Sequence, residues 1–124
     1  MASLYMKPQI KEQFNKMLIF ASNANEIAKD ITLEKLATDI PYQYSLLYPL
    51  GQIGELAIYM TRNADVEKNY PNIEWSKWRG FRNRVFHDYD MLDFSIVLEM
   101  ITEALPLLLT ALNEIYVNYI EEYE

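Results

Sequence analysis

An all-α fold, an antiparallel bundle of four main helices with one short extra helical segment, is what the sequence predicts. Only 3 Gly and 5 Pro interrupt the 124 residues. Apolar residues recur three or four apart along most of the chain, as one face of a helix requires. No run alternates apolar with polar β-branched residues, so nothing calls for a sheet. With 51% hydrophobic residues the chain can bury one core, and a single domain over residues 1–124 is expected.

The first helix places Pro8 in its opening turn, where a missing N–H costs nothing. Ile10, Phe14, Met17, Ala21, Ala24, Ala28 and Ile31 form its buried stripe. Thr32 is suited to cap a short segment from Leu33, which pauses near Pro41 because proline disfavours helical geometry in the residue before it. A longer helix then runs to about Arg62, burying Leu47, Leu50, Ile53, Gly54, Ala57, Ile58 and Thr61. Gly51 and Gly54 lie on adjacent turns of it, and a glycine costs a helix interior up to about 1 kcal/mol, so another backbone is expected to come close there. Residues Asn63 to Asn72, "NADVEKNYPN", read as a loop. The third helix starts around Ile73, with Trp75 and Trp78 in the core.

The last helix begins near Asp93, capped by Asp93 or Ser95. It carries Phe94, Val97, Leu98, Ile101, Leu105, Leu108, Leu112, Ile115 and Tyr119 on one stripe. Pro106 predicts a kink. Leu107, Leu109 and Ile120 widen the stripe beyond one partner helix, which argues for a homodimer. The acidic tail "EEYE" is expected to fray. The longest apolar stretch, "ALPLLLTAL" from Ala104, is too short to span a bilayer, and "MASLYMKPQI" lacks a signal-peptide core; with no Cys to form disulfides, a cytoplasmic protein with no membrane partner is expected.

The net charge is −7, which disfavours broad charge-driven binding to nucleic acid. Yet within Lys77 to Tyr89 four cations, Lys77, Arg79, Arg82 and Arg84, face one acid, Asp88. The stretch "RGFRNRVFHDYD" is thus a basic focus, with Lys77, Arg79 and Arg84 as candidate phosphate contacts. It also holds the only histidine, His87. Histidine both gives and takes a proton near neutrality, and arginine offers a planar fork of donors matched to phosphate oxygens. No thiols or carboxylate cage accompany them, which suggests metal-free chemistry at a phosphodiester. In RNA the 2′-hydroxyl is already the nucleophile, so a protein need only move protons and stabilise charge on phosphorus. Asn83 and His87 share a helix face; Arg82 and His87 stand about 140° apart. For both to act on one phosphate, the helix must end between them or a second copy must supply the partner. A lone His at a helix end also serves as a cap, and Arg near Asp88 and Asp90 also forms solvated ion pairs, so these residues alone leave both readings open.

Four stretches, two of them overlapping at Arg82 and Asn83, resemble a known family. "RNRVFHDY", Arg82 to Tyr89, is similar to the R-x4-H-x-Y signature of the HEPN superfamily, in its HepT-like toxin branch paired with minimal nucleotidyltransferase antitoxins. "IGELA" from Ile53, "NIEWSKWRGFRN" from Asn72 and "ALPLLLTAL" from Ala104 resemble that branch's flanking patterns. The likeness covers roughly Leu50 to Leu112; the first helix carries no recognisable motif. The resemblance implies a dimeric helical bundle acting as a metal-independent endoribonuclease without cofactor, its active site in the dimer cleft. It implies that Arg82 binds the phosphate and His87 acts as general acid or base, with Asn83 beside them. Glu55 is placed to orient Arg82 or His87, or else is a solvated helix carboxylate. Tyr89 would receive AMP from the partner nucleotidyltransferase, silencing a toxin of a toxin–antitoxin pair. The alternative is a non-catalytic HEPN module that binds a nucleotide or presents substrate to a nucleotidyltransferase; a third is a plain structural homodimer.

Overall fold

The computed structural model describes residues 6–120, and among them every regular element is helical. Helix α1 spans Pro8–Ile27 and runs into a 3₁₀ turn, Ala28–Asp30. Its stripe is buried as expected, with Ile10, Phe14, Met17, Ala21, Ala24 and Ala28 all in the core. Thr32 Oγ1 accepts from the Lys35 N–H at 3.0 Å and starts α2, Leu33–Thr38. Asp39 Oδ1 accepts from the Tyr42 N–H at 3.0 Å and starts α3, Ile40–Asn63, with Pro41 in the first turn. Each cap satisfies a backbone donor that a helix start leaves open.

Helix α3 is the centre of the bundle. It buries Leu46, Leu56 and Met60 beyond the predicted stripe, while Ile58 and Thr61 are only half-buried. The wider face follows from its neighbours, since α1, α2 and α5 all pack on it. The loop expected at Asn63 to Asn72 contains a helical turn, α4, Val66–Asn69, whose Val66 drops into the core. Helix α5 is Trp75–His87, two residues later than predicted. Trp75 and Trp78 are buried, and the Trp75 indole donates to the Tyr70 carbonyl at 3.0 Å.

A 3₁₀ turn, Tyr89–Met91, leads to the last helix, which begins at Phe94. Asp93 is the cap: its Oδ1 accepts from the Ser95 N–H at 2.9 Å and the Ser95 hydroxyl at 2.6 Å. Those two bonds hold the Asp93 carboxyl below its usual value, so the cap is intact at neutral pH and is lost as acid titrates through that lowered value. The helix is α6, Phe94–Glu99, a π turn, Met100–Ala104, α7, Leu105–Ile115, and a second π turn, Tyr116–Ile120. The irregularity predicted at Pro106 is therefore taken up before it: the Leu105 N–H reaches back to the Met100 carbonyl, which puts Pro106 in the first turn of a fresh α-helix.

Val97, Ile101, Leu105, Leu108, Leu112 and Ile115 are buried as the stripe predicts; Leu109 packs on the core's edge and Leu107 is 57% exposed. The side chains of Tyr119 and Ile120 and the tail lie outside the described residues. One expectation is corrected. The helical stretch Phe94–Asn118 is 25 residues long, with mean hydropathy 1.7 in its best window, long and apolar enough to cross a membrane. Counting only uninterrupted apolar residues missed this, because the few polar residues on the outer face barely lower the average. In this fold the stretch is a wall of the core.

Helices α3 and α5 run antiparallel, since Gln43, Gly51 and Gly54 meet Tyr89, Phe86 and Arg82 in reverse order. At Gly54 the expected close approach is real: an added Cβ would stand 2.6 Å from the Trp78 carbonyl oxygen. At Gly51 the neighbour is a side chain instead, Phe86 Cζ at 2.7 Å. Gly80 faces open space. Replacing Gly54 with Ala should therefore cost about 1–3 kcal/mol by overpacking, whereas Gly80→Ala should gain up to about 1 kcal/mol from helix propensity. Urea denaturation of the two variants checks both signs.

Candidate active site

Helix α5 carries the basic segment, and its last turn is where the site forms. Arg82 projects across the seam to α3. Its Nε donates to Glu55 Oε1 in an ion pair, and Glu55 is the residue next to the glycine that lets the helices approach. The same guanidinium turns Nη1 to Asn83 Oδ1 at 3.0 Å and to His87 Nε2 at 3.1 Å. Its face lies over the Phe86 ring, 5.6 Å from the centroid. Thus Glu55, Arg82, Asn83 and His87 come together, as the sequence suggested, and Phe86 joins them unforeseen.

The angular argument that Arg82 and His87 need a helix break between them, or a second copy, is overturned. Helix α5 continues through both and ends at His87, yet the side chains meet within one chain. Angles of Cβ directions ignored reach: the long arginine side chain spans more than a helical turn, and Glu55 fixes its direction. Because a guanidinium only donates, His87 Nε2 is the acceptor in this contact. That nitrogen is therefore occupied by Arg82 in this structure.

The other predicted cations are not gathered there. Lys77 pairs with Glu74 at 3.6 Å and Arg79 with Glu67 at 3.2 Å, both toward the start of α5. Arg84, two residues beyond Arg82, projects about 160° away around the helix. With Arg82 held by Glu55, three of the four cations in the segment face carboxylates from outside it. The basic focus counted along the sequence is thus largely neutralised in space. Among the described residues no group of three or more His, Cys, Asp or Glu converges as a metal ion would need.

Tyr89 follows His87 by two residues but faces elsewhere. Its hydroxyl donates to Gln43 Oε1 at 2.6 Å, and Gln43 Nε2 donates to the Ala37 carbonyl at 3.2 Å, which fixes which end of the amide meets the tyrosine. Gln43 is only 5% exposed. Burial, then Tyr44 and Asp90, push the Tyr89 hydroxyl above its usual value of 10, so it keeps its proton at neutral pH and serves as donor. The sequence held one clue to Gln43: a polar residue one turn before Leu46 and Leu47, on the buried face of α3.

The family model for HepT-like ribonucleases matches residues 17–115. The match starts inside α1, so it takes in much of the first helix, where no motif was recognisable. Two proteins of Methanocaldococcus jannaschii are similar. One, named "Putative RNase MJ1380", is 27% identical over 100 residues, 81% of this chain and 90% of that protein. The other, named "Putative RNase MJ0125", is 24% identical over 100 residues, 81% of this chain and 84% of that protein. No solved structure matches.

The Tyr89 to Gln43 bond makes a paired test. Tyr89→Phe strands a buried carbonyl oxygen and should cost about 1–3 kcal/mol, whereas the double variant Gln43→Leu with Tyr89→Phe should recover part of that loss, because neither partner of the bond remains while the Ala37 carbonyl loses its Gln43 donor. Denaturation of the single and double variants reads the coupling directly.

Proposed function

The chain belongs to the HepT-like ribonuclease family, and on that premise we propose that it is a metal-independent endoribonuclease whose chemistry is carried by Arg82 and His87. The observation that supports this most is the contact of Arg82 Nη1 with His87 Nε2 at 3.1 Å, a cation held directly beside the one imidazole. A phosphodiester entering the site would draw the guanidinium donors to its non-bridging oxygens, where the charge of the transition state develops. That exchange would release His87 Nε2. The freed nitrogen takes the proton of the 2′-hydroxyl as its oxygen attacks phosphorus; the bond from phosphorus to the 5′-oxygen breaks, and the leaving oxygen needs a proton. A second copy of the chain, paired around a cleft and entering the step with its His87 as the imidazolium, would supply that proton from its own ring and be left neutral. The products are a 2′,3′-cyclic phosphate and a 5′-hydroxyl, with no net change in protons. Glu55 holds Arg82 in place, and Asn83 orients its outer nitrogen.

Silencing fits Tyr89 on the same reading. In a cytoplasmic toxin–antitoxin pair, a minimal nucleotidyltransferase would direct the Tyr89 oxygen to the α-phosphorus of ATP. Pyrophosphate leaves, and the phenolic proton passes to a base on the partner. That base is needed because the hydroxyl holds its proton tightly here. The added phosphate would repel RNA beside the site.

The purified chain should cleave single-stranded RNA in the presence of EDTA and leave cyclic phosphate ends. His87→Ala and Arg82→Ala should each lower the rate by at least about 100-fold, the usual worth of an acid–base or oxyanion group, with unchanged helicity. Cleavage that EDTA stops, or a fully active His87→Ala, contradicts the mechanism; a wild-type chain that binds RNA without cutting it supports the non-catalytic module instead. On incubation with ATP and the cognate nucleotidyltransferase, AMP should appear on Tyr89 and be absent from Tyr89→Phe. Peptide mass spectrometry decides it.

A further inference from the structure

Beside the site, between the first half of α3 and the end of α5, lies an open groove of about 410 Å³ lined by Tyr44, Leu47, Tyr48, Val85, Phe86 and Tyr89. Leu47 and Val85 are its buried floor, while Tyr44, Tyr48 and Phe86 are 60%, 59% and 43% exposed. Three large rings left this open, within one face, are unusual on a folded surface unless something covers them. Phe86 joins the groove to the Arg82 guanidinium, which lies 5.6 Å over its ring. It can lie across α3 because Gly51 has no Cβ, which would otherwise stand 2.7 Å from Phe86 Cζ. Its lining is thus four aromatic rings over an aliphatic floor.

Resting on the ribonuclease reading of Arg82 and His87, we propose that this groove holds a nucleobase of the RNA strand next to the phosphate bound by Arg82. Charge decides for stacking over steering. The chain carries −7 overall, and Lys77, Arg79 and Arg82 are each paired with a carboxylate. Long-range attraction to phosphates is therefore weak, and affinity has to come from a contact that needs no net charge. Base stacking on aromatic side chains is such a contact, and it works for any base because every base has a π face. The volume falls within the range of about 300–1,000 Å³ seen for small-ligand sites, enough for a base with its sugar. The groove would then set which nucleotide faces Arg82, so it fixes register.

The test uses a dye-labelled 2′-O-methyl oligoadenylate octamer, which lacks the nucleophile, and a fully abasic octamer of equal charge, both followed by fluorescence anisotropy. Wild type should bind the base-bearing strand about tenfold or more tightly than the abasic one. Tyr44→Leu and Tyr48→Leu should each lose about tenfold on the base-bearing strand and little on the abasic one, the change expected for removing one stacking ring. Both side chains are largely exposed, and circular dichroism verifies the fold. Equal binding of the two strands by wild type, or equal losses on both in the variants, overturns the proposal. So does a shift of either variant to lower mass in light scattering, which would assign the face to contact between copies of the chain. RNA cleavage without base-dependent binding overturns the groove alone; base-dependent binding by a chain that never cuts RNA overturns the ribonuclease reading alone.

Discussion

The closeness of α3 and α5 at Gly54 is the constraint on which the site depends. There the bare backbone of α3 meets the Trp78 carbonyl and the root of Arg82, so the two helices cross at side-chain-free contact. Glu55, one residue on, is thereby close enough to take the Arg82 Nε. Three residues earlier, one turn back along α3, Gly51 admits the Phe86 ring. The polar pair and the aromatic ring are thus placed by one seam. A methyl group at Gly54 would disturb both together, because a carbonyl of a packed helix cannot move aside alone.

Arg82 then controls His87. A guanidinium has five donors in a fixed fork, and this one directs its Nε to Glu55 and its Nη1 to Asn83 and His87. The imidazole nitrogen that Arg82 meets is Nε2. On the proposed mechanism, a phosphate that competes for the guanidinium is what uncovers that nitrogen. On the same reading the pairing resolves the tension between an acidic chain and a phosphate-binding site. What matters is one cation whose partners can be exchanged, not the sum of charges along a segment.

Much of the fold was legible because it follows from local rules. The stripe from Ile10 to Ala28, the caps at Thr32 and Asp93, and the burial of Trp75 and Trp78 all depend on neighbours three or four residues away, which a sequence displays. What it hid were contacts across elements. The carboxylates that pair with Arg79 and Arg82 come from Glu67 and Glu55, and Gln43 waits 46 residues before its partner. The meeting of Arg82 with His87 was misjudged for another reason: Cβ directions were counted, while the long side chain decided. At Pro106 the helix absorbed the fault through a π turn upstream, a solution that propensities do not express.

The Gln43 to Tyr89 bond gives the turn after α5 its position, and hence the end of the helix where His87 stands. A group attached to the Tyr89 oxygen would remove the donor from that bond and leave the Gln43 carbonyl, buried and fixed by Ala37, without a partner. An unpaired buried acceptor is costly, so the turn would have to move out for water to reach the amide. Only Asp88 separates the turn from His87. On the proposed silencing, then, nucleotide addition would act in two ways: its charge would oppose RNA, and the displaced turn would draw His87 off the position in which Arg82 now holds it.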